Sequence, residues 1–320
     1  MLERIKKSAF TAPLLVIFTG VLSVFVQVLL KKATFDSLTA LCLSYSAAEL
    51  LVFVLPGVIY VKMRRKGYAS DLKLISFGFS GVSLVLLLFI VMALGAVLIN
   101  IVRVGADVGG ELAYDAALLF HGDYFSDADT VFLVGLTLGV VPAFCEEFFF
   151  RGVMLSEYRR YGMLPSVLIT ALYFAILHFD IKKFPYYFLA GLVLGFAAYT
   201  VRSVLASAVL HALYNLFSLF ALPFVLNFIS AEAGVIVFYL TGVAFLLAVM
   251  LALGEGERIF AGYSTSGLPS DAPVKRKENF FSPVLEVLSP TFLLCILLFV
   301  LTVFRVIRLP GPITAPDAGL

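Results

Sequence analysis

Charge is scarce in this chain. Only 14% of its 320 residues are Asp, Glu, Lys or Arg, against 62% hydrophobic residues and a mean hydropathy of +1.05, which excludes an ordinary soluble globular protein. Cysteine is scarcer still. Cys42, Cys145 and Cys295 all sit inside apolar runs, with neither paired spacing nor a CxxC, so no disulfide framework is implied. Cys145 adjoins Glu146, but one helical step turns it about 100° from that face, and buried Cys usually acts as a small hydrophobe. The net charge of +2 is small and comes from residues flanking the apolar runs, so the partners expected are membrane lipids and not nucleic acid. The chain also lacks a glycine-rich phosphate loop, a GxSxG element and a Ser placed with His and Asp, which leaves nucleotide use and serine catalysis without support. Finally, it lacks an internal repeat, which argues against a transporter assembled from duplicated halves.

What is present is a series of long apolar runs, near residues 12 to 30, 39 to 61, 79 to 102, 130 to 155, 164 to 181, 184 to 201, 203 to 226, 233 to 253 and 283 to 304. Their lengths match the roughly 20 helical residues that cross a hydrocarbon core, and a lipid-exposed backbone must close its own hydrogen bonds. The fold class expected is therefore all-α: a polytopic membrane helix bundle of about eight to nine transmembrane helices. The first run follows Arg4, Lys6 and Lys7 and reads as an uncleaved signal anchor. With the N-terminus inside and nine crossings, sixteen Lys and Arg residues fall inside and seven outside (Lys31, Lys32, Arg103, Lys182, Lys183, Arg305 and Arg308), which predicts a cytoplasmic N-terminus.

Three regions follow. Residues 1–129 hold three spans and an acidic external loop, residues 130–226 hold four closely spaced spans, and residues 227–320 hold two spans around a polar cytoplasmic linker at 254–282. The middle region contains ionisable groups where oily helices should have none. A charge at mid-bilayer costs roughly 2.5 to 3.5 kcal/mol on insertion scales, so something must offset it.

In Glu146-Glu147-Phe148-Phe149-Phe150-Arg151, Glu147 and Arg151 stand four residues apart with the acid on the N-terminal side, the better orientation for an intrahelical pair. Glu146 points elsewhere and needs a partner on another helix. Gly135 and Gly139 share its face and would admit a neighbouring helix; Gly191 and Gly195 repeat that spacing. His178 closes the next span, and both it and Glu146 lie sixteen residues from Gly162, so an antiparallel hairpin sets them at one depth, roughly 24 Å from the turn. His211 and Asn215 form an i, i+4 pair on a polar stripe with Ser207 and Ser218. Packing alone explains Glu147 and Arg151 as well as function does. It explains the joint set of Glu146, His178, His211 and Asn215 poorly.

Two chemistries suit that set. Glu146 and His178 could activate a water, with His211 and Asn215 bonding the oxyanion formed at a carbonyl. Alternatively Glu146, His178 and His211 could hold a zinc ion whose bound water attacks, with Asn215 orienting. Two other classes compete with an enzyme: a non-catalytic membrane regulator or immunity protein held together by the same cluster, and a proton-coupled transporter.

EExxxR at Glu146, Glu147 and Arg151, FxxxH at Phe174 and His178, and HxxxN at His211 and Asn215, in that order on membrane helices, resemble the CPBP family of intramembrane proteases, which includes the CAAX prenyl endopeptidases and bacterial relatives linked to bacteriocin processing and self-immunity. The resemblance covers about residues 130 to 220. It implies Glu146 as the water-activating carboxylate, His178 as its partner, His211 and Asn215 as oxyanion or metal-holding groups, and Glu147, Arg151 and Phe174 as structural support. The activity implied is a membrane-embedded endopeptidase, of metalloprotease type if zinc is bound. It would cut a membrane-associated or lipidated protein near the cytoplasmic side of, or within, a bacterial cytoplasmic membrane.

Overall fold

The computed structural model describes residues 2–64, 72–74, 77–105, 128–227, 234–266 and 289–303. Each of the nine apolar runs overlaps a helix, the ninth only over Pro290–Val303 because residues 283–288 lie outside the described ones, and no strand occurs among the described residues. In chain order α1 spans Leu2–Lys32, α2 Leu38–Met63, α3 Phe79–Gly105, α4 Ala128–Tyr158, α5 Met163–Leu177, α6 Phe184–Val201, α7 Val204–Asn227, α8 Gly234–Thr265 and α9 Pro290–Val303. Seven of these are long and apolar enough to cross a membrane, and α5 and α9 are shorter apolar helices. The surface is apolar as well: Val235, Tyr239, Leu246 and Met250 of α8 are all more than half exposed, as a lipid-facing helix requires.

Local chemistry sets the turns. After Tyr158 a single 3₁₀ turn, Arg159–Tyr161, leads to Gly162 at φ +90°, a conformation that favours glycine because it has no Cβ. The Ser166 hydroxyl bonds the Tyr158 and Gly162 carbonyls at 2.6 and 2.5 Å, clipping α5 to the end of α4. Arg202 in the left-handed region ends α6, and the Ser203 hydroxyl accepts from the Ala206 N–H to start α7 at once. Connections this short make α4, α5, α6 and α7 antiparallel neighbours.

Small residues bring these helices together. A Cβ placed on Gly191 of α6 would lie 2.8 Å from the Ala171 Cα of α5, and one on Gly139 of α4 would lie 2.7 Å from the Leu216 side chain of α7. At Gly191 the obstacle is backbone, which cannot rotate away. Gly191→Leu is therefore expected to destabilise the bundle by roughly 1–3 kcal/mol. A thermal melt of the purified variant in detergent, unchanged from wild type, would contradict this close approach.

One end of the bundle gathers polar ties between alternate helix ends. Thr11 of α1 bonds Tyr60 of α2 at 3.2 Å, Arg64 just after α2 pairs with Glu157 of α4 at 2.9 Å, and the Lys73 carbonyl accepts from the Val204 N–H at 3.1 Å. At the same end Ser83 of α3 bonds Glu255 of α8, and the Tyr263 hydroxyl donates to the Thr200 carbonyl at 3.1 Å. Hence α1, α3, α5 and α7 leave this end while α2, α4, α6 and α8 return to it. The alternation is the one expected for consecutive crossings.

One boundary differs from the sequence reading. Residues 254–282 read as a linker, but α8 stays helical through Gly254 to Thr265, supported by the Arg258–Glu255 pair at 2.7 Å and the packing of Gly256 on Phe196. Gly and Ser content masked that helix. The rest of that stretch up to 282, apart from Ser266, lies outside the described residues, as does the acidic loop up to residue 127.

Candidate active site

Helix α4 departs from ideal geometry around the acidic pair. Wide π turns at Gly135–Val140 and Phe148–Met154 flank the α-helical Val141–Glu147, with Pro142 opening that segment. Such turns recur at functional sites because they re-aim side chains. They also change the helical phase, so the 3.6-residue reckoning that grouped Gly135 and Gly139 with Glu146 holds only approximately. Both glycines nevertheless face α7, beside Leu216.

Glu147 and Arg151 are fully buried and paired at 2.5 Å. The same Glu147 oxygen lies 3.0 Å from His211 Nδ1 on α7, and the second guanidinium arm donates to the Gly191 carbonyl of α6 at 3.1 Å. The guanidinium also stands over the Phe174 ring of α5 at 4.7 Å. One ion pair thus ties four helices. This is where the structure puts the three residues expected to support the site.

His178 caps α5, with Phe179 beyond it in the left-handed region. Its Nδ1 lies 2.6 Å from the Phe174 carbonyl, and its ring stacks on Tyr187 at 3.7 Å. A carbonyl only accepts, so Nδ1 carries the proton and Nε2 keeps a lone pair. Asn215 donates to the Gly139 carbonyl at 3.2 Å, which leaves its second N–H and its carbonyl oxygen uncommitted by that bond.

Glu146, 9% exposed, has one carboxyl oxygen buried without a hydrogen-bond partner among the described residues. The expected partner on another helix is not found for that atom. Glu146, Phe174, His178, His211 and Asn215 instead line one cavity of about 240 Å³, together with Lys183, Tyr186 and Tyr187 from the start of α6. The Tyr186 hydroxyl bonds Ser218 at 2.8 Å across it. All four groups singled out for chemistry therefore reach one space.

Sequence reasoning missed Glu49. This residue of α2 has a buried carboxyl oxygen with no hydrogen-bond partner among the described residues, and it interacts electrostatically with Glu146 and Cys145 from outside the cavity lining. An acid inside the apolar run 39 to 61 was the available signal, and the same rule that flagged Glu146 applies to it. Tyr186 and Tyr187 were missed as well, since aromatic residues in an apolar helix carry no such signal.

The residues fit a zinc site poorly. Among the described residues no three of His, Cys, Asp and Glu converge on a common point where a metal ion could sit. Glu146, His178 and His211 share a cavity without forming a ligand set.

Residues 128–217 match the family model described as type II CAAX prenyl endopeptidase, Rce1-like. That segment holds α4, α5, α6 and the first part of α7, with all three motifs, and it supports the resemblance to the CPBP and CAAX protease family. No curated protein and no solved structure matches the chain.

Proposed function

We propose that this protein is an intramembrane endopeptidase in which Glu146 and His178 activate a water that attacks a peptide carbonyl. The observation that carries this reading is the convergence of Glu146, His178, His211 and Asn215 on one half-polar cavity among membrane helices. In the proposed reaction Glu146 takes the water proton while His178 accepts a hydrogen bond from the same water through Nε2. The new carbon–oxygen bond leaves an oxyanion. Asn215 donates its second N–H to it, and His211, anchored through Nδ1 to Glu147, presents Nε2 to it as a donor when protonated. Collapse breaks the carbon–nitrogen bond, and the proton held by Glu146 passes to the leaving amine. No step uses a metal.

The substrate is proposed to be a membrane-associated polypeptide in a bacterial cytoplasmic membrane, and a prenylated tail is the candidate that the matched family's name suggests. Cleavage of a membrane-tethered peptide by purified protein tests the reading. His178→Ala and Asn215→Ala are each expected to lower kcat by roughly 100-fold without loss of folding. Full activity in both variants would refute it, whereas a non-catalytic regulator would show no cleavage to lose.

A further inference from the structure

We infer that Tyr187 is a further catalytic residue, whose phenol hydroxyl donates a hydrogen bond to the oxyanion formed in the cavity. The inference rests on the protease reading above and adds to it a donor that belongs to none of the three motifs.

Four hydroxyl-bearing residues line the cavity between α4, α5, α6 and α7: Tyr186, Tyr187, Tyr214 and Ser218. Three of these hydroxyls are occupied with one another. Tyr186 bonds Ser218 at 2.8 Å, and the Tyr214 hydroxyl interacts with both. Tyr187 stands apart. Its hydroxyl makes no hydrogen bond among the described residues, and it is not one of the sealed, unpartnered polar atoms, so it stays accessible. It interacts electrostatically with Glu146, the proposed base, and with Asp180, whose carboxylate already accepts from the Lys182 and Lys183 backbone N–H groups at 2.8 and 3.2 Å.

The ring that carries this hydroxyl is held on several sides. It stacks on His178 at 3.7 Å with 23° between the planes, and the Phe174 and Tyr186 rings stand edge-on at 6.5 and 5.7 Å. His178 is fixed in turn by its Nδ1 bond to the Phe174 carbonyl. One turn further along α6, Gly191 admits the Ala171 backbone of α5, and this close approach draws the two helices together where Tyr187 meets His178. A donor already locked by packing needs no reorganisation as charge develops, which is the condition under which a hydrogen bond to an oxyanion lowers the barrier.

The proton stays on the phenol throughout. As water adds to the carbonyl, its double bond becomes a single bond and the new oxyanion accepts from Tyr187 beside Asn215 and His211. When the carbon–nitrogen bond breaks, the carbonyl re-forms and these hydrogen bonds weaken. His211 donates through Nε2 only when protonated, whereas a phenol keeps its proton at neutral pH, so Tyr187 supplies a donor that does not depend on the charge of His211.

Tyr187→Phe removes the hydroxyl and keeps the stacked ring. With the membrane-tethered peptide it is expected to lower kcat by roughly 10- to 100-fold and to leave KM nearly unchanged. An unchanged kcat, or a raised KM with kcat intact, overturns the inference. A second measurement separates hydroxyl from ring. The chain has 3 His, so selective histidine labelling resolves the His178 ring protons by NMR in detergent, identified by their loss in His178→Ala. These signals are expected upfield, under the neighbouring ring, in wild type and Tyr187→Phe, and shifted downfield in Tyr187→Leu. A downfield shift in Tyr187→Phe would assign its lost activity to a displaced His178 and overturn the donor role. Wild type that cuts no tethered peptide defeats the protease reading and this inference with it, whereas a fully active Tyr187→Phe beside an inactive Glu146→Gln defeats this inference alone.

Discussion

Glu146→Gln is expected to abolish peptide cleavage, lowering kcat by at least about 100-fold, while the protein stays folded and monodisperse. Gln keeps the volume of Glu and most of its hydrogen-bonding capacity, so packing around the cavity changes little. What it loses is the ability to take a proton from water. The wild-type carboxyl has one oxygen buried without a hydrogen-bond partner among the described residues, so the substitution breaks no bond made by that atom. This separates chemistry from architecture. A regulator that uses the same cluster to hold its helices would retain its biological effect in Glu146→Gln, and a protease would not. Retained cleavage by the variant, on the same tethered peptide and at matched protein concentration, would remove Glu146 from the mechanism and leave His178 or His211 as the base.

Much of this site could be read before any coordinates. Each of the nine runs is helical over most of its described residues because lipid leaves the backbone no other way to satisfy itself, a constraint visible in composition alone. The hairpin reckoning from Gly162 brought Glu146 and His178 to one cavity, since two continuous helices joined by a tight turn keep equal residue counts at equal depth. The partner of His211 was not readable. Its bond to Glu147 joins residues 64 positions apart, and it depends on the π turns of α4 and on close α4–α7 packing at Gly139. Nor was the continuation of α8 readable past Gly254, where glycines and serines imitate a linker. Glu49 was readable as an acid inside the apolar run 39 to 61, but it belongs to none of the three motifs.

Arg151→Met is expected to be the most damaging single change to folding, costing about 3–5 kcal/mol, because it strands a carboxylate with no exposure to water. Glu147 would keep only His211 as a donor, and α6 would lose the tie from the guanidinium to the Gly191 carbonyl. Arg151→Lys should recover only part of the loss: a single ammonium cannot reproduce two planar donors 2.5 and 3.1 Å from acceptors on two helices while stacking on Phe174. The informative comparison is Arg151→Met combined with Glu147→Leu. Removing both charges abolishes the desolvation cost that the pair offsets, so the double variant should melt well above Arg151→Met alone. It should still fall short of wild type, since His211 then lacks the acceptor that orients its ring. Stability and catalysis would part company in that protein, with the bundle largely restored and the oxyanion donor misaligned. Melting curves in detergent beside cleavage rates read both quantities. A double variant no more stable than Arg151→Met would mean that the pair holds the helices by geometry and not by charge balance.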